Sequence, residues 1–212
     1  MTLPRLILAD DHTILVEAFA KLLQPFYDVV GKVADGRSLL VMASQLKPDV
    51  VVLDIGMPLM NGLDAGLRLK EALPQVKLVF LTMNDDPDLA LEAMRSGGSA
   101  YLLKTSAMEE LLFAIQSALK GQSYVTPLIA RAMKNSFIKN PEARAQQKDI
   151  TPRQREVVQL LAEGKSMKQV AGVLSISERT VAFHKYRVMD AMNLRSSAEL
   201  VQFAISSHIF VR

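Results

Sequence analysis

Val50-Val51-Val52-Leu53-Asp54-Ile55-Gly56-Met57-Pro58-Leu59-Met60-Asn61-Gly62 carries an unbroken apolar run into a carboxylate and then turns at once through Gly and Pro. A Val/Leu run without polar alternation suits a strand buried on both faces. Three further apolar runs end the same way: Leu6-Ile7-Leu8-Ala9 leads into Asp10-Asp11, Lys77-Leu78-Val79-Phe80-Leu81 into Thr82, and Ala100-Tyr101-Leu102-Leu103 into Lys104. Working outward, strands are expected at 5–9, 29–33, 50–54, 77–82 and 100–104, with helices at 13–23, 38–46, 63–73, 87–96 and 107–119. Five successive βα units predict an α/β fold, a doubly wound five-stranded parallel sheet covered on both faces. Ligands of such sheets bind at the carboxyl ends of the strands, where all four polar strand ends lie.

The full chain has 212 residues, half of them hydrophobic, which excludes a disordered polypeptide and predicts two domains of unequal length. No apolar stretch approaches the roughly 20 residues of a membrane span, and the first strand reaches Asp10 too soon for a secretory segment. A soluble, cytoplasmic protein is expected, without membrane partners. The absence of Cys removes disulfides, thiolate catalysis and Cys-ligated zinc, and His12, His184 and His208 show no metal-ligand spacing. Residues 1–121 carry 11 Lys+Arg against 15 Asp+Glu, a net −4, whereas residues 122–212 carry 14 against 7, a net +7. A basic helical half commonly faces a polyanion.

Three carboxylates at neighbouring strand ends repel one another unless a cation lies between them. Mg2+ is the natural candidate, since it takes oxygen ligands and is often held by one or two carboxylates together with phosphate oxygens. Asp11 and Asp54 are the expected direct ligands, with Asp10 acting through water and the Gly56 carbonyl as a further ligand. Asp54 is also the candidate nucleophile toward a phosphoryl group. Lys104 would pair with one phosphoryl oxygen and Thr82 would donate its hydroxyl to another, drawing two loops toward Asp54. Each residue alone reads equally well as a helix cap or a solvated strand end; it is the ordered set that argues for a site.

With that set in view, residues 1–121 resemble a response-regulator receiver domain of flavodoxin-like fold. The resemblance makes Asp54 the phosphoacceptor, Asp10 and Asp11 the magnesium-binding pair, and Thr82 and Lys104 the switch-linked positions. It also makes Tyr101 the aromatic that moves inward as the Thr82 loop closes, the plainer alternative being a half-buried aromatic on an edge strand. Gly56 and Asn84 fall where the family tunes phosphoryl lifetime. Thr105 departs from the frequent Pro after the Lys.

Residues 122–148 are expected to be a linker with a short helix that starts at Thr126-Pro127 and carries Leu128, Ile129, Met133 and Phe137, followed by an exposed polar stretch at 140–149. Beyond it, in residues 149–212, no strand signal survives. Thr151 to Gln154, Ser166 to Gln169 and Ser196 to Glu199 each fit a capping box, and Gly164 and Asn193 are plausible stops. A helix at Met167–Leu174, a turn at Ser175-Ile176-Ser177 and a longer helix at 178–192 predict helix-turn-helix geometry within a small four-helix domain. Val181, His184, Val188 and Ala191 follow the 3.6 period and should pack inward. That leaves Arg179, Ala182, Phe183, Lys185, Tyr186 and Arg187 more exposed. Phe183 and Tyr186 either read a ligand between cations or pack under the linker or the first domain.

Ile150-Thr151-Pro152-Arg153-Gln154-Arg155-Glu156 and Ile176-Ser177-Glu178-Arg179-Thr180-Val181-Ala182-Phe183-His184 resemble the LuxR-type DNA-binding domain over residues 150–205. With the receiver, the whole chain looks like a two-component response regulator of the NarL/FixJ type. The resemblance implies a histidine kinase as phosphodonor, DNA as the second partner, and a homodimer when active or DNA-bound. It places Ala182, Phe183 and Tyr186 against base edges and Lys168, Thr180 and Lys185 against phosphates. Met167 stands where the family often has Asn, and Ala182 where it often has Lys. Val201, Ala204 and Ile205 form either a dimer seam or ordinary packing. Two rival readings remain. One is a regulator indifferent to phosphorylation. The other is a metal-dependent phosphohydrolase using Asp54, although such enzymes usually need a second Asp where Gly56 stands.

Overall fold

The computed structural model describes residues 2–139 and 150–211; the polar stretch expected at 140–149 lies outside them. The chain divides into two compact units, Met1–Pro141 and Glu142–Arg212.

In the first unit the order is β1 (Arg5–Ala9), α1 (Thr13–Leu23), β2 (Asp28–Val33), α2 (Gly36–Leu46), β3 (Val50–Asp54), α3 (Gly62–Ala72), β4 (Lys77–Thr82), α4 (Pro87–Arg95), β5 (Ala100–Leu103), α5 (Ala107–Leu119), β6 (Tyr124–Val125) and α6 (Pro127–Lys139). All strand pairs are parallel, in the order β2-β1-β3-β4-β5-β6. The five expected strands are present. The sixth has only two residues, too few to leave a hydrophobic period in the sequence.

Alternate strand residues point to opposite faces. Leu6, Leu8, Val50, Val52, Val79, Leu81 and Leu102 face a core shared with Val16, Phe19 and Leu23 of α1 and Leu111 and Ile115 of α5. On the other face, Gly66 of α3 lies against Phe80 and Leu78, and Met42 of α2 lies over Gly31 and Ile7. β3 is buried along its whole length, as its unbroken apolar run requires. Each such core side chain stabilises the fold by about 1.5–3 kcal/mol relative to exposure. Local signals set the helix starts: Asp35 accepts the Ser38 amide, Asn61 the Asp64 amide, and Asp86 the Asp88 amide with Pro87 in the first turn.

The stretch expected as a linker begins as part of the first unit. Tyr124 and Val125 pair with Ala100 and Tyr101. The Thr126 carbonyl accepts the Ala130 amide, as an N-cap carbonyl does, while the Thr126 hydroxyl donates to Glu110 Oε2 at 2.8 Å. β5 is therefore not an edge strand.

The second unit holds α7 (Pro152–Ala162), α8 (Met167–Leu174), α9 (Glu178–Ala191) and α10 (Ser197–Ser206). Both halves of the capping box form at Thr151 with Gln154 and at Ser166 with Gln169. At the third expected box only half forms: Ser196 accepts the Glu199 amide, but the Glu199 carboxylate reaches past it to the Arg195 amide at 2.8 Å. Gly164 takes φ +84 and Asn193 φ +56, the left-handed conformations that end a helix. Val158, Val188, Met189, Leu200, Ala204 and Ile209 form one core cluster, and Val157, Leu160, Val170, Leu174 and Val181 are buried as well. The expected inward stripe of α9 needs one correction: Ala191 is exposed and Met189 is buried in its place, because the core face of α9 runs through Val181, Val188 and Met189, with Met192 partly buried beside them, and leaves Ala191 on the solvent side. Arg153 donates to Glu156 Oε2 at 2.7 Å and to the Leu174 carbonyl at 2.8 Å, tying α7 to the end of α8. No helix among the described residues is long and apolar enough to cross a membrane.

Candidate functional sites

β1 and β3 are neighbours in the sheet, yet the chain visits β2 between them, so a crevice opens where the strand order reverses. Asp10 and Asp11 follow β1 into this crevice and Asp54 ends β3. Lys104 follows β5 and reaches both sides, with Nζ 2.8 Å from Asp10 Oδ2 and 2.9 Å from Asp54 Oδ2. Asp54 is 4% exposed and the Lys104 side chain 5%. One ligand atom from each of Asp10, Asp11, His12 and Asp54 lies within 4.8 Å of the others. At that spacing two like charges repel by on the order of 3 kcal/mol even at an effective dielectric constant of 20. One ammonium cannot offset three carboxylates. Burial, and next to it the Asp10 carboxylate, push the Asp54 pKa up, while Lys104 and the Gly56 amide pull it back in part. Asp10 Oδ2 faces Lys104 as an ion pair but has no hydrogen-bond geometry to any donor. This oxygen-rich, over-acidic and incompletely bonded donor set fits a hard divalent cation.

His12, which sequence spacing set aside, belongs to the cluster. Its Nδ1 lies 3.0 Å from Asp10 Oδ1 and 3.0 Å from Asp11 Oδ1. Spacing rules describe ligands sharing one helix or loop, whereas these donors meet from two strand ends.

Thr82 is 1% exposed, and its hydroxyl accepts the Asn84 amide at 3.0 Å. The Lys104 amide in turn donates to the Thr82 carbonyl at 2.8 Å, joining the two loops. None of the described peptide bonds is cis, the Lys104-Thr105 bond included. Tyr101 is fully buried, not half-buried, because β6 covers its strand. Its hydroxyl donates to the Asn84 carbonyl at 3.0 Å, and burial, then Asp86 and Asp85, hold its pKa well above the usual tyrosine range.

Gly62 sets how closely α3 approaches the end of β3. A Cβ there would stand 2.1 Å from the Asp54 carbonyl oxygen and 2.9 Å from the Ile55 Cα, and no rotamer change relieves a clash with backbone. Gly62→Ala is expected to cost roughly 3 kcal/mol in urea denaturation and to weaken Mg2+ binding as Asp54 shifts.

In the second unit, Ser177 caps α9 by accepting the Thr180 amide at 3.1 Å. Ser175, at φ +52, makes the sharp turn from α8. Phe183 is 56% and Tyr186 54% exposed, so neither belongs to the core of its own unit. Arg187 lies 5.5 Å from the Phe183 ring centroid and Lys185 5.7 Å from that of Tyr186. Lys168, Arg179 and Arg187 are exposed, whereas Thr180, Ala182 and Lys185 are partly covered. Lys185 also donates to the Ser197 hydroxyl at 3.0 Å. His184 is half-buried, and burial and then Arg153 lower its pKa, as befits a packing residue. Of the three α10 residues expected either at a dimer seam or in ordinary packing, Ala204 lies in the unit's own core and Ile205 is 54% exposed.

Residues 6–116, just over half of the chain, match the family described as "Response regulator receiver domain", and residues 148–204 match "Bacterial regulatory proteins, luxR family". The oxygen regulatory protein NreC of Staphylococcus carnosus is 31% identical over 97% of this chain and 98% of its own. The chain is a two-component response regulator of the NarL/LuxR type. A solved LuxR-family response regulator from Aurantimonas sp. is 29% identical, with a TM-score of 0.62 over 65% of this chain and 100% of that one. The RcsB response regulator of Salmonella typhimurium, at 24% identity, shares the fold with a TM-score of 0.65 over 100% of both chains. The phosphohydrolase alternative is thereby set aside: a response regulator is a phosphorylation-regulated DNA-binding protein, not a standalone enzyme.

Proposed function

We propose that this response regulator accepts a phosphoryl group on Asp54 from a histidine kinase, and that the modification controls sequence-specific DNA binding through α9. The observation that carries the reading is the Lys104 ammonium held between Asp10 and Asp54 at the reversal point of the sheet. In this reading Asp11, Asp54 and the Gly56 carbonyl hold Mg2+, with Asp10 acting through water. Bound there, Mg2+ supplies positive charge against the transferring phosphoryl oxygens. The ionised Asp54 oxygen attacks phosphorus, the bond to the donor breaks, and an acyl phosphate forms. Burial that raises the Asp54 pKa also makes that oxygen the more basic nucleophile.

Once Asp54 is esterified, Lys104 is free to exchange a carboxylate for a phosphoryl oxygen. Thr82 would turn its hydroxyl from the Asn84 amide to another. Tyr101, bonded to the Asn84 carbonyl, would then follow the loop. Residues 1–121 act as receiver, 122–148 as connector and 149–212 as DNA-binding domain. On α9, Phe183, Tyr186 and Ala182 would meet base edges; Arg179, Thr180, Lys185, Arg187 and, from α8, Lys168 would meet phosphates. The protein works in the cytoplasm, and a homodimer, with Val201 and Ile205 at its seam, is the DNA-bound form.

The test compares wild type with Arg179→Ala/Lys185→Ala, before and after acetyl phosphate treatment. Phosphorylation should tighten operator binding by wild type. The double variant should bind more weakly at every sequence, with the log-affinity against log-salt slope shallower by about 0.9 for each phosphate no longer neutralised. Equal slopes would exclude this face, and indifference to phosphorylation would favour a regulator working through another input.

A further inference from the structure

We propose that His12 supplies a nitrogen donor to the acidic centre, making it a mixed nitrogen and oxygen site that prefers late first-row divalent cations such as Co2+ over Mg2+. The assignment rests on the reading of Asp10, Asp11 and Asp54 as a cation centre and extends it to a residue outside the carboxylate set.

The geometry starts from one atom. His12 Nδ1 lies 3.0 Å from Asp10 Oδ1, 3.0 Å from Asp11 Oδ1, and within 4.8 Å of the Asp54 donor. Adjacent ligand atoms around an octahedral ion with bonds of about 2.1 Å stand about 3.0 Å apart. A single Nδ1 proton can bridge both oxygens as a three-centre hydrogen bond, and a cation bound by the same donors takes that proton's place. Asp10 Oδ1 already receives the His12 backbone amide at 2.9 Å. The ring nitrogen stands 3.0 Å from two carboxylates at once, the spacing that a shared cation also requires.

Local chain geometry aims the ring. The bond from the His12 amide to Asp10 Oδ1 closes a tight Asx turn, which folds the imidazole back over the carboxylates. His12 is the N-cap of α1, yet its side chain makes no cap hydrogen bond; the ring serves the cluster instead of the helix. The side chain is 64% exposed, so the centre is open to solvent on this side and the ring can be removed without opening the core. Mg2+ favours oxygen donors, whereas imidazole nitrogen suits Co2+, Ni2+ and Zn2+. A transition cation held this way would compete with Mg2+ for Asp11 and Asp54.

The test uses metal-stripped, tag-free full-length protein, wild type and His12→Ala. Co2+ and Mg2+ are titrated separately by calorimetry, and the Mn2+ form is examined by pulsed EPR for coupling to nitrogen. Outer-shell partners alone are worth 10–100-fold in metal affinity. His12→Ala should therefore weaken Co2+ by at least about tenfold while Mg2+ moves less than about threefold. An imidazole nitrogen coupling should be present in wild type and absent in the variant. His184 and His208 lie in the other unit and are common to both proteins, so the difference isolates His12. Both ions weakening together would make His12 a positioning residue, and both tightening would make its ring a counter-charge; either result overturns the proposal, as does wild type without nitrogen coupling. If wild type binds neither ion, the cation centre itself fails, whereas Mg2+ binding abolished by Asp54→Asn but indifferent to His12→Ala leaves the centre standing and removes only His12.

Discussion

Incubated with acetyl phosphate and Mg2+, the wild-type chain is expected to gain one phosphoryl group by intact mass, and the Asp54→Asn chain none. Loss of labelling has a trivial rival, collapse of the fold, and the local electrostatics argue against it. Burial disfavours the ionised Asp54 and, with the Asp10 carboxylate adding to it, raises its pKa in spite of Lys104. A group with a raised folded pKa contributes stability below its unfolded value and loses it as pH rises through the folded one. At neutral pH the ionised Asp54 is thus a burden on the cation-free protein. Asp54→Asn removes that burden, so its urea midpoint should rise slightly in chelator. Saturating Mg2+ reverses the order, because a ligand at 100 times its Kd stabilises by about 2.7 kcal/mol, and the variant lacks one of the donors. Equal labelling of both chains would move the nucleophile elsewhere.

Lys104→Met should be the most destabilising single change in the receiver unit when no divalent cation is present. Lys104 contacts both Asp10 and Asp54, and all three side chains are about 5% exposed. Removing one partner of a buried ion pair typically costs about 3–5 kcal/mol, because it leaves the other charge uncompensated. Here two carboxylates are left facing each other. Urea denaturation in chelator should show that loss. Titrating Mg2+ should then recover more stability in the variant than in wild type, since the cation takes over the work of the missing ammonium. A loss that Mg2+ does not reduce would mean that Lys104 acts by packing its alkyl stem and not by charge.

Much of this was legible beforehand because it is local. The unbroken apolar runs marked the central strands, and Thr151, Ser166 and Ser196 marked helix starts through caps that involve only residues three positions away. The candidate site was legible as a row of polar groups because parallel strands must deliver their carboxyl ends to one edge, so the residue after each run could be read directly. Tyr101 was harder: a two-residue strand 23 positions later covers it, and so short a strand has no period of its own. His12 was set aside because metal spacing rules assume ligands on one element. The Arg153 link to the Leu174 carbonyl joins residues 21 apart through a backbone acceptor, which no side-chain pattern encodes.

The sequence by itself determined the order of strands and helices, the residue types at each strand end, and the basic helix that follows a helix-turn-helix break. Periodicity, caps and charge are properties of neighbouring residues. Only the tertiary structure decided which of these groups meet. The reversal of strand order brings Asp10 beside Asp54, and the lack of a Cβ on Gly62 lets α3 close against the end of β3. An Asx turn swings His12 onto the carboxylates. Those are distances across the fold, set by packing and sheet pairing, and they turn a row of separate polar ends into one charged centre.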